Sequence, residues 1–420
     1  MNNITYDGAR LQDPGEEIVI VIDPGHGGTN LGTTGNDHLE KEMTLTTATA
    51  MYEELSKYDN VTVYMTRIDD TELSLLERAQ FAADKEADFL FSIHYNASVY
   101  HNLFGSEVWI ASDAPFHAFG YQFGSVQLQT MSEMGLFLRG VKTKIGKTGE
   151  NYYGIIREST RLGIPSCIIE HCHVDQERDS IFCENDEDLI AFGKADATSV
   201  AKYLGLKSTE LSVDYSEYAA TSLANISMDT TSTYAYNLKK APQYCEIELT
   251  SVDYDTGEVT IHVSGKDLNN TIIYFDYSLD AGLNWSEYNP WPESNTIYNT
   301  YAEGFDITIT IPSGVKPNVI FRAYNQFDAR TKSNTLILNR FNYEEKYRTL
   351  EELAESHGIN KYKTYSYETG WRLFPEAFDK LEHSSLGIFT CIAINTLLML
   401  IVLFTLAGSI IRSKRKRLRK

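Results

Sequence analysis

Four residues far apart in this 420-residue chain carry side chains suited to one piece of chemistry: His26, Glu40, His94 and Glu170. Imidazole nitrogens and carboxylate oxygens hold Zn2+ and similar ions, and a catalytic site keeps a further position open for water. That combination would support metal-assisted hydrolysis, with a spare carboxylate to move protons. Each residue also has a plainer reading. A histidine at a strand end often caps or packs. Glu40 in a charged stretch can be a solvated first-turn carboxylate favoured by the helix dipole, and Glu42 competes with it. Glu170 resists such a reading, because a carboxylate inside an Ile-Ile run is costly to bury without a partner. None of the pairs forms a compact H-E-x-x-H motif, so spacing alone leaves a metal site and a structural role both open.

The elements that must position these residues alternate between strand and helix over 17–205, the pattern of an α/β domain. EIVIVID (17–23) reads as a strand stopped by Pro24-Gly25, and His26 follows in DPGHGG, where Gly25, Gly27 and Gly28 permit a tight turn back over the sheet. Glu40 sits at the entrance of a helix that is periodic over 44–57, and VTVYMTR (61–67) is strand-like. Ser74 with Glu77 forms a capping box opening a helix to about Ala87. DFLFSIH (88–94), SEVWIAS (106–112) and PSCIIEHC (165–172) read as strands, with helices over 117–134 and 186–204. Strands this apolar imply a sheet with helices on both faces. His26, His94 and Glu170 then fall at strand carboxyl ends, where open α/β sheets form their sites, so three of the four point to one crevice.

The run IVIDPGHGG, LEKEMTL, VYMTR, SLLERAQFA, ADFLFSIHYNAS, GSEVWIA and PSCIIEH, collinear over about 17–205, resembles the zinc-dependent N-acetylmuramoyl-L-alanine amidases of the amidase 3 type. The resemblance implies a mixed-sheet α/β fold, one Zn2+ held by His26, Glu40 and His94, and Glu170 as the catalytic glutamate. It further implies peptidoglycan as substrate and cleavage of the amide between N-acetylmuramic acid and L-alanine in a bacterial cell wall. A catalytically silent wall-binding or scaffold protein, and another zinc amidohydrolase or peptidase, are the competing readings; retention of all four residues argues against silence. Arg67 and Arg78, in the TR and ER segments, either contact substrate or orient strand and helix. Asn96 positions the ligand loop or a substrate amide. Where the family usually has x-Gly-Phe after its glutamate, this chain has His171-Cys172-His173, open to three readings: a packed strand end, a groove lining, or a second metal or redox site. Arg139, Lys142, Lys144 and Lys147 form a basic patch, read equally as facing substrate carboxylates or as a solvated loop, within a 113–160 stretch able to hold a regulatory gate. A regulatory protein partner is compatible with such a gate.

Beyond this domain, 206–240 is Ser/Thr/Ala/Tyr-rich and expected to be a linker. From Tyr244 to about Asn339 the apolar period becomes two, broken by turn signals at Asp255-Thr-Gly and Asp280-Ala-Gly, predicting a small all-β, immunoglobulin-like sandwich over 241–340. Its Trp285, Tyr288 and Trp291 are candidates for stacking on sugars or for core packing. Residues 341–385 read as juxtamembrane, and 386–411 as a transmembrane helix of 26 uncharged residues. The following RSKRKRLRK favours the cytoplasmic side, placing the catalytic domain outside as a single-pass membrane protein, although the first residues show no basic or apolar signal. The chain holds 37 basic against 58 acidic residues, and seven of the bases lie in 412–420. An acidic body of this kind repels phosphate backbones, so nucleic acid is not an expected partner. Five scattered cysteines without a C-x-x-C pair make no disulfide framework.

Overall fold

A computed structural model describes residues 17–35, 38–218, 240–268, 270–292 and 304–343, all within one compact unit, Met1–Tyr343. In chain order the first domain contains β1 (Ile18–Pro24), β2 (Thr34–Gly35), β3 (His38–Leu39), α1 (Glu40–Leu55), β4 (Val61–Met65), α2 (Leu75–Asp84), β5 (Phe89–Asn96) and β6 (Ser106–Ile110). It continues with α3 (Phe116–Glu133), β7 (Leu138–Lys142), α4 (Gly154–Arg161), β8 (Ser166–His173), α5 (Glu177–Ser180), α6 (Asp186–Leu204), β9 (Lys207–Ser208) and β10 (Val213–Asp214). Six strands form one sheet in the order β4-β1-β5-β8-β6-β7. All neighbours are parallel except β6 and β8, so the sheet is mixed.

The apolar runs are explained by burial on both faces. Ile20 and Ile22 of β1, Phe89, Phe91 and Ile93 of β5 and Ile169 of β8 pack with Met51, Phe123 and Val200 of α1, α3 and α6. The alternate residues Val21, Leu90 and Ile168 pack with Ala79, Ala82, Ile155 and Ile156 of α2 and α4. Each such aliphatic or aromatic side chain contributes about 1.5–3 kcal/mol through burial. The Ser74–Glu77 capping box is present at the start of α2, and Asn185 with Asp188 caps α6 in the same way. α1 begins at Glu40, four residues before the expected periodicity, because its first turn is polar and carries Glu40 and Glu42 at the positive end of the helix dipole.

The 113–160 stretch holds α3, β7 and α4, the last two too short to reveal a period in the sequence. The expected linker also begins later than residue 206: β9 and β10 form a hairpin, and Leu211, Val213, Tyr215 and Tyr218 pack on the first core. Residues 219–239 lie outside the described residues.

The second domain comprises β11 (Tyr244–Val252), β12 (Glu258–Lys266), β13 (Ile272–Ser278), β14 (Asn289–Pro290), β15 (Gly304–Thr310), β16 (Asn318–Asn325), β17 (Arg330–Lys332) and β18 (Leu336–Ile337). One antiparallel sheet runs β11-β12-β15, a second β14-β13-β16-β17, with β18 also on β16. Ile247, Val259, Ile261, Val263 and Ile309 of the first meet Ile272, Phe275, Val319 and Phe321 of the second in one core. Trp291 is fully buried there, Tyr288 packs on Tyr274 and Tyr324, and Trp285 stacks on the Arg322 guanidinium at 3.4 Å. Of the two readings of Trp285, Tyr288 and Trp291, the packing one describes their contacts within the domain. The two domains meet through an aromatic cluster, in which Tyr274 lies 4.8 Å from Phe104 and 5.2 Å from Phe137 between ring centres. Among the described residues no helix is long and apolar enough to cross a membrane; the juxtamembrane segment, the expected span at 386–411 and the basic tail lie outside them.

Candidate active site

The first strand ends in a loop that two arginines hold in place. Asp23, buried at the end of β1, accepts from Thr66 Oγ1 at 2.5 Å, Ser92 Oγ at 2.8 Å and Arg78 Nη1 at 2.8 Å. Arg78 also donates to the carbonyls of Pro24 and His26 at 2.6 and 2.5 Å. Arg67 donates to the carbonyls of Pro24, Gly25 and Lys41 at 3.0, 2.8 and 2.8 Å. Arg67 therefore touches the chain just before His26 and just after Glu40. It is buried and spends its donors on backbone acceptors, in keeping with the orienting one of its two readings; Arg78 forms the expected ion pair with Asp23.

This bracing holds His26 at φ 62°, a left-handed conformation that costs a residue bearing Cβ of order 1 kcal/mol. Gly25 is required for another reason: a Cβ there would lie 2.3 Å from His94 Cε1, so the ring rests directly on the loop backbone. His26 Nδ1 meets Asn30 Oδ1 at 2.9 Å, and with the proton on Nδ1 the Nε2 lone pair could serve a metal ion beside Glu40.

His26, Glu40 and His94 are brought together, with one ligand atom of each within 4.8 Å of the others. Glu40 Oε1 lies 3.0 Å from His26 Nε2 and 3.0 Å from His94 Nδ1. Its other oxygen accepts from the Thr33 amide at 2.7 Å, which fixes the carboxylate plane. Burial alone would raise the Glu40 pKa, but hydrogen bonds from His26 and His94 outweigh it and hold the carboxyl well below the usual range. For His26, burial pulls the pKa down and the Glu40 hydrogen bond and charge carry it above the ordinary value. Two imidazole nitrogens and an ionised carboxylate converging on one point are a donor set suited to a divalent ion of the Zn2+ kind.

Glu170 lies beside this set. In the sheet register it pairs with His94 across β5 and with Glu107 across β6. β6 is antiparallel to β8, so the start of β6, and with it Glu107, reaches the crevice edge. Among the described residues Glu170 Oε2 is buried without a hydrogen-bond partner. Burial, then the charges of Glu40 and Glu107, raise the Glu170 pKa well above the carboxylate range, against a smaller opposing effect of Lys142.

His171 and its neighbours are packed. His171 Nδ1 meets the His94 carbonyl at 3.0 Å, its Nε2 meets Asp196 at 2.8 Å, and its ring stacks on Tyr95. It supports the strand carrying His94 from inside the core, as the packed-strand-end reading of this cluster has it. Cys172 Sγ lies 3.6 Å from Cys183 Sγ, both as free thiols. Asn96 Nδ2 donates to Glu107 Oε1 at 3.1 Å. Arg139 and Lys142 do not form a solvated patch. Both are buried and converge on Glu107 Oε2 at 2.7 and 2.6 Å, while Arg139 also reaches Asp328 of the second domain at 3.1 Å. Glu107 was missed in the sequence, although a carboxylate inside the apolar run SEVWI carries the same signal that singled out Glu170.

Residues 20–202 match the family described as N-acetylmuramoyl-L-alanine amidase. A sporulation-specific N-acetylmuramoyl-L-alanine amidase of Bacillus subtilis is 29% identical over 196 residues, 46% of this chain and 71% of that protein. A probable cell wall amidase of Staphylococcus aureus is 29% identical over 180 residues, 42% of this chain and 55% of that protein. Among solved structures, the catalytic domain of an N-acetylmuramoyl-L-alanine amidase from Bacillus (Paenibacillus) polymyxa is 26% identical, with a TM-score of 0.40 over 45% of this chain and 99% of that one.

Proposed function

We propose that this chain, whose residues 20–202 match the N-acetylmuramoyl-L-alanine amidase family, hydrolyses the amide between N-acetylmuramic acid and L-alanine of peptidoglycan with Zn2+ held by His26, Glu40 and His94. The observation that carries the reading is the convergence of those three donors beside a buried carboxyl, Glu170, with an unpartnered oxygen. When bound, Zn2+ polarises the scissile carbonyl and lowers the pKa of a water toward about 7.

The protein's own groups do the rest. Arg67, Arg78 and Asn30 fix the imidazole and carboxylate directions before substrate arrives. Glu170 Oε2 takes the proton of the attacking water. The same unpartnered oxygen is placed to deliver that proton to the alanine nitrogen, an amine that leaves poorly unless protonated. Glu107, paired with Glu170 across the sheet, is fixed in place by Lys142 and Arg139.

The uncharged 386–411 segment and the basic run after it support a membrane anchor with the catalytic domain on the outer side, and the period-two strands support an immunoglobulin-like affiliation for the second domain. The test incubates the zinc-loaded protein with purified peptidoglycan and counts new L-alanine amino termini, with Glu170→Ala as control. Release by the wild type and loss of at least about 100-fold in the variant is expected. No release from folded, metal-loaded wild-type protein would refute the proposal.

A further inference from the structure

A cavity of about 320 Å3 lies where the second domain meets the first, at the small end of the range for ligand sites. The catalytic domain lines it with Asn96, Trp109, Arg139, Lys142, Lys144 and His173, among others; the turn between β16 and β17 adds Gln326, Phe327 and Asp328. Glu107 is also in its wall and pairs with Glu170 in the sheet, so the cavity opens one strand away from the proposed catalytic carboxyl.

We propose that this cavity binds the carboxylate-bearing peptide on the amine side of the scissile bond, and that the second domain thereby forms part of the substrate site. The inference rests on the amidase reading and extends it to a second domain that the family match at 20–202 does not include. Three observations support it.

The first is charge. Glu107 is matched by Lys142 and Arg139, and Asp328 by Arg139. Lys144 makes no ion pair among the described residues; its ammonium lies 3.8 Å from the Tyr152 ring centre and 5.9 Å from that of Trp109. The wall therefore carries a surplus positive charge in a chain of net charge −21. The second is an unsatisfied polar atom. His173 is 1% exposed, its Nδ1 meets the Gly105 carbonyl at 3.2 Å, and its Nε2 has no partner among the described residues. A carbonyl at Nδ1 requires the proton there, and in that tautomer Nε2 is an acceptor for an N–H. A peptide supplies both features, a carboxylate for Lys144 and an amide N–H for His173.

The third observation is the opposite rim. On the β1 side Asp70 and Glu72 accept from the Gly28 and Thr29 amides beside His26; Asp70 is paired with Lys41 at 2.6 Å, while Glu72 makes no ion pair among the described residues. The two halves of the substrate differ in charge, since the muramyl lactyl carboxyl is consumed in the amide while the peptide keeps free carboxylates. Charge matching thus directs the peptide to the β6–β7 flank and the neutral sugar to the acidic rim.

The test uses the full chain and the tripeptide L-alanyl-γ-D-glutamyl-L-lysine, which lacks the scissile bond, titrated calorimetrically at low salt. Expected results are that Lys144→Gln weakens binding about 10-fold, and that replacing the glutamyl α-carboxyl by its amide weakens wild-type binding to a similar degree. Asp328→Asn, which removes a competing carboxylate contributed by the second domain, should tighten binding a few-fold. Equal tripeptide affinity in wild type, Lys144→Gln and Asp328→Asn, each folded by circular dichroism, would overturn the assignment. Hydrolysis of N-acetylmuramoyl-L-alanine amide by the wild type is scored separately: its absence defeats the amidase reading, whereas its presence with unaltered tripeptide binding defeats only the cavity.

Discussion

Gly25→Ala isolates the contact between the DPGHGG loop and the second histidine. Gly25 is not in the left-handed region, so alanine meets no backbone penalty, but its Cβ would lie 2.3, 2.6 and 2.7 Å from Cε1, Nε2 and Nδ1 of His94. Reaching an ordinary contact near 3.5 Å moves the ring by about 1.2 Å, and the loop has little room to yield because Arg67, Arg78 and Thr44 hold it. A nitrogen displaced that far cannot keep a Zn–N bond of about 2.1 Å, which tolerates only about 0.2 Å. Zinc affinity should fall by at least about 100-fold, or roughly 2.7 kcal/mol, with turnover falling by a similar factor. Zinc retention is measured by chelator competition and turnover by release of L-alanine amino termini. Gly163→Ala serves as control: its φ of 83° penalises the fold, but nothing lies within 4 Å of the new methyl. Gly163→Ala should lower the urea midpoint and leave zinc affinity intact. If Gly25→Ala binds zinc as tightly as the wild type, the ring does not depend on this contact and the reasoning fails.

Arg67→Lys keeps the charge but cannot reach the carbonyls of Pro24, Gly25 and Lys41 at once, so zinc affinity should fall about 10–100-fold, read by the same competition; an unchanged affinity would show that the fork does not position the ligands. His117 is buried, and burial lowers its pKa from 6.5 to about 4. The unfolded state then binds the extra proton between those values, so stability is lost as pH falls from about 6.5 to 4, with a slope of at most about 1.4 kcal/mol per pH unit from this group. Urea midpoints at pH 7 and pH 5 should therefore differ less in His117→Gln than in the wild type, and equal differences would refute the assignment.

Much of the fold was legible in the sequence because the parallel strands are apolar on both faces and the capping box at Ser74–Glu77 is a local hydrogen-bond pattern. β7 and α4 were not legible, since LRGVK and GIIRESTR are too short for a period to emerge. His26, Glu40, His94 and Glu170 stood out by residue type beside strand ends and glycines, a signal local to each segment.

What the sequence by itself determined was local: which segments alternate or repeat in a way that forms strands and helices, and which polar residues interrupt apolar runs. Only the tertiary structure decided the partners. Arg67 and Arg139 have the same side chain, yet one is used up on carbonyls around the metal-ligand loop and the other on Glu107 and Asp328 across a domain boundary, 189 residues along the chain. Nothing local distinguishes them, because a guanidinium takes whichever acceptors the packed elements leave within reach. The reversed direction of β6 is of the same kind: it brings Glu107 to the crevice and makes Lys142 and Arg139 buried counter-charges where the linear sequence shows a basic patch.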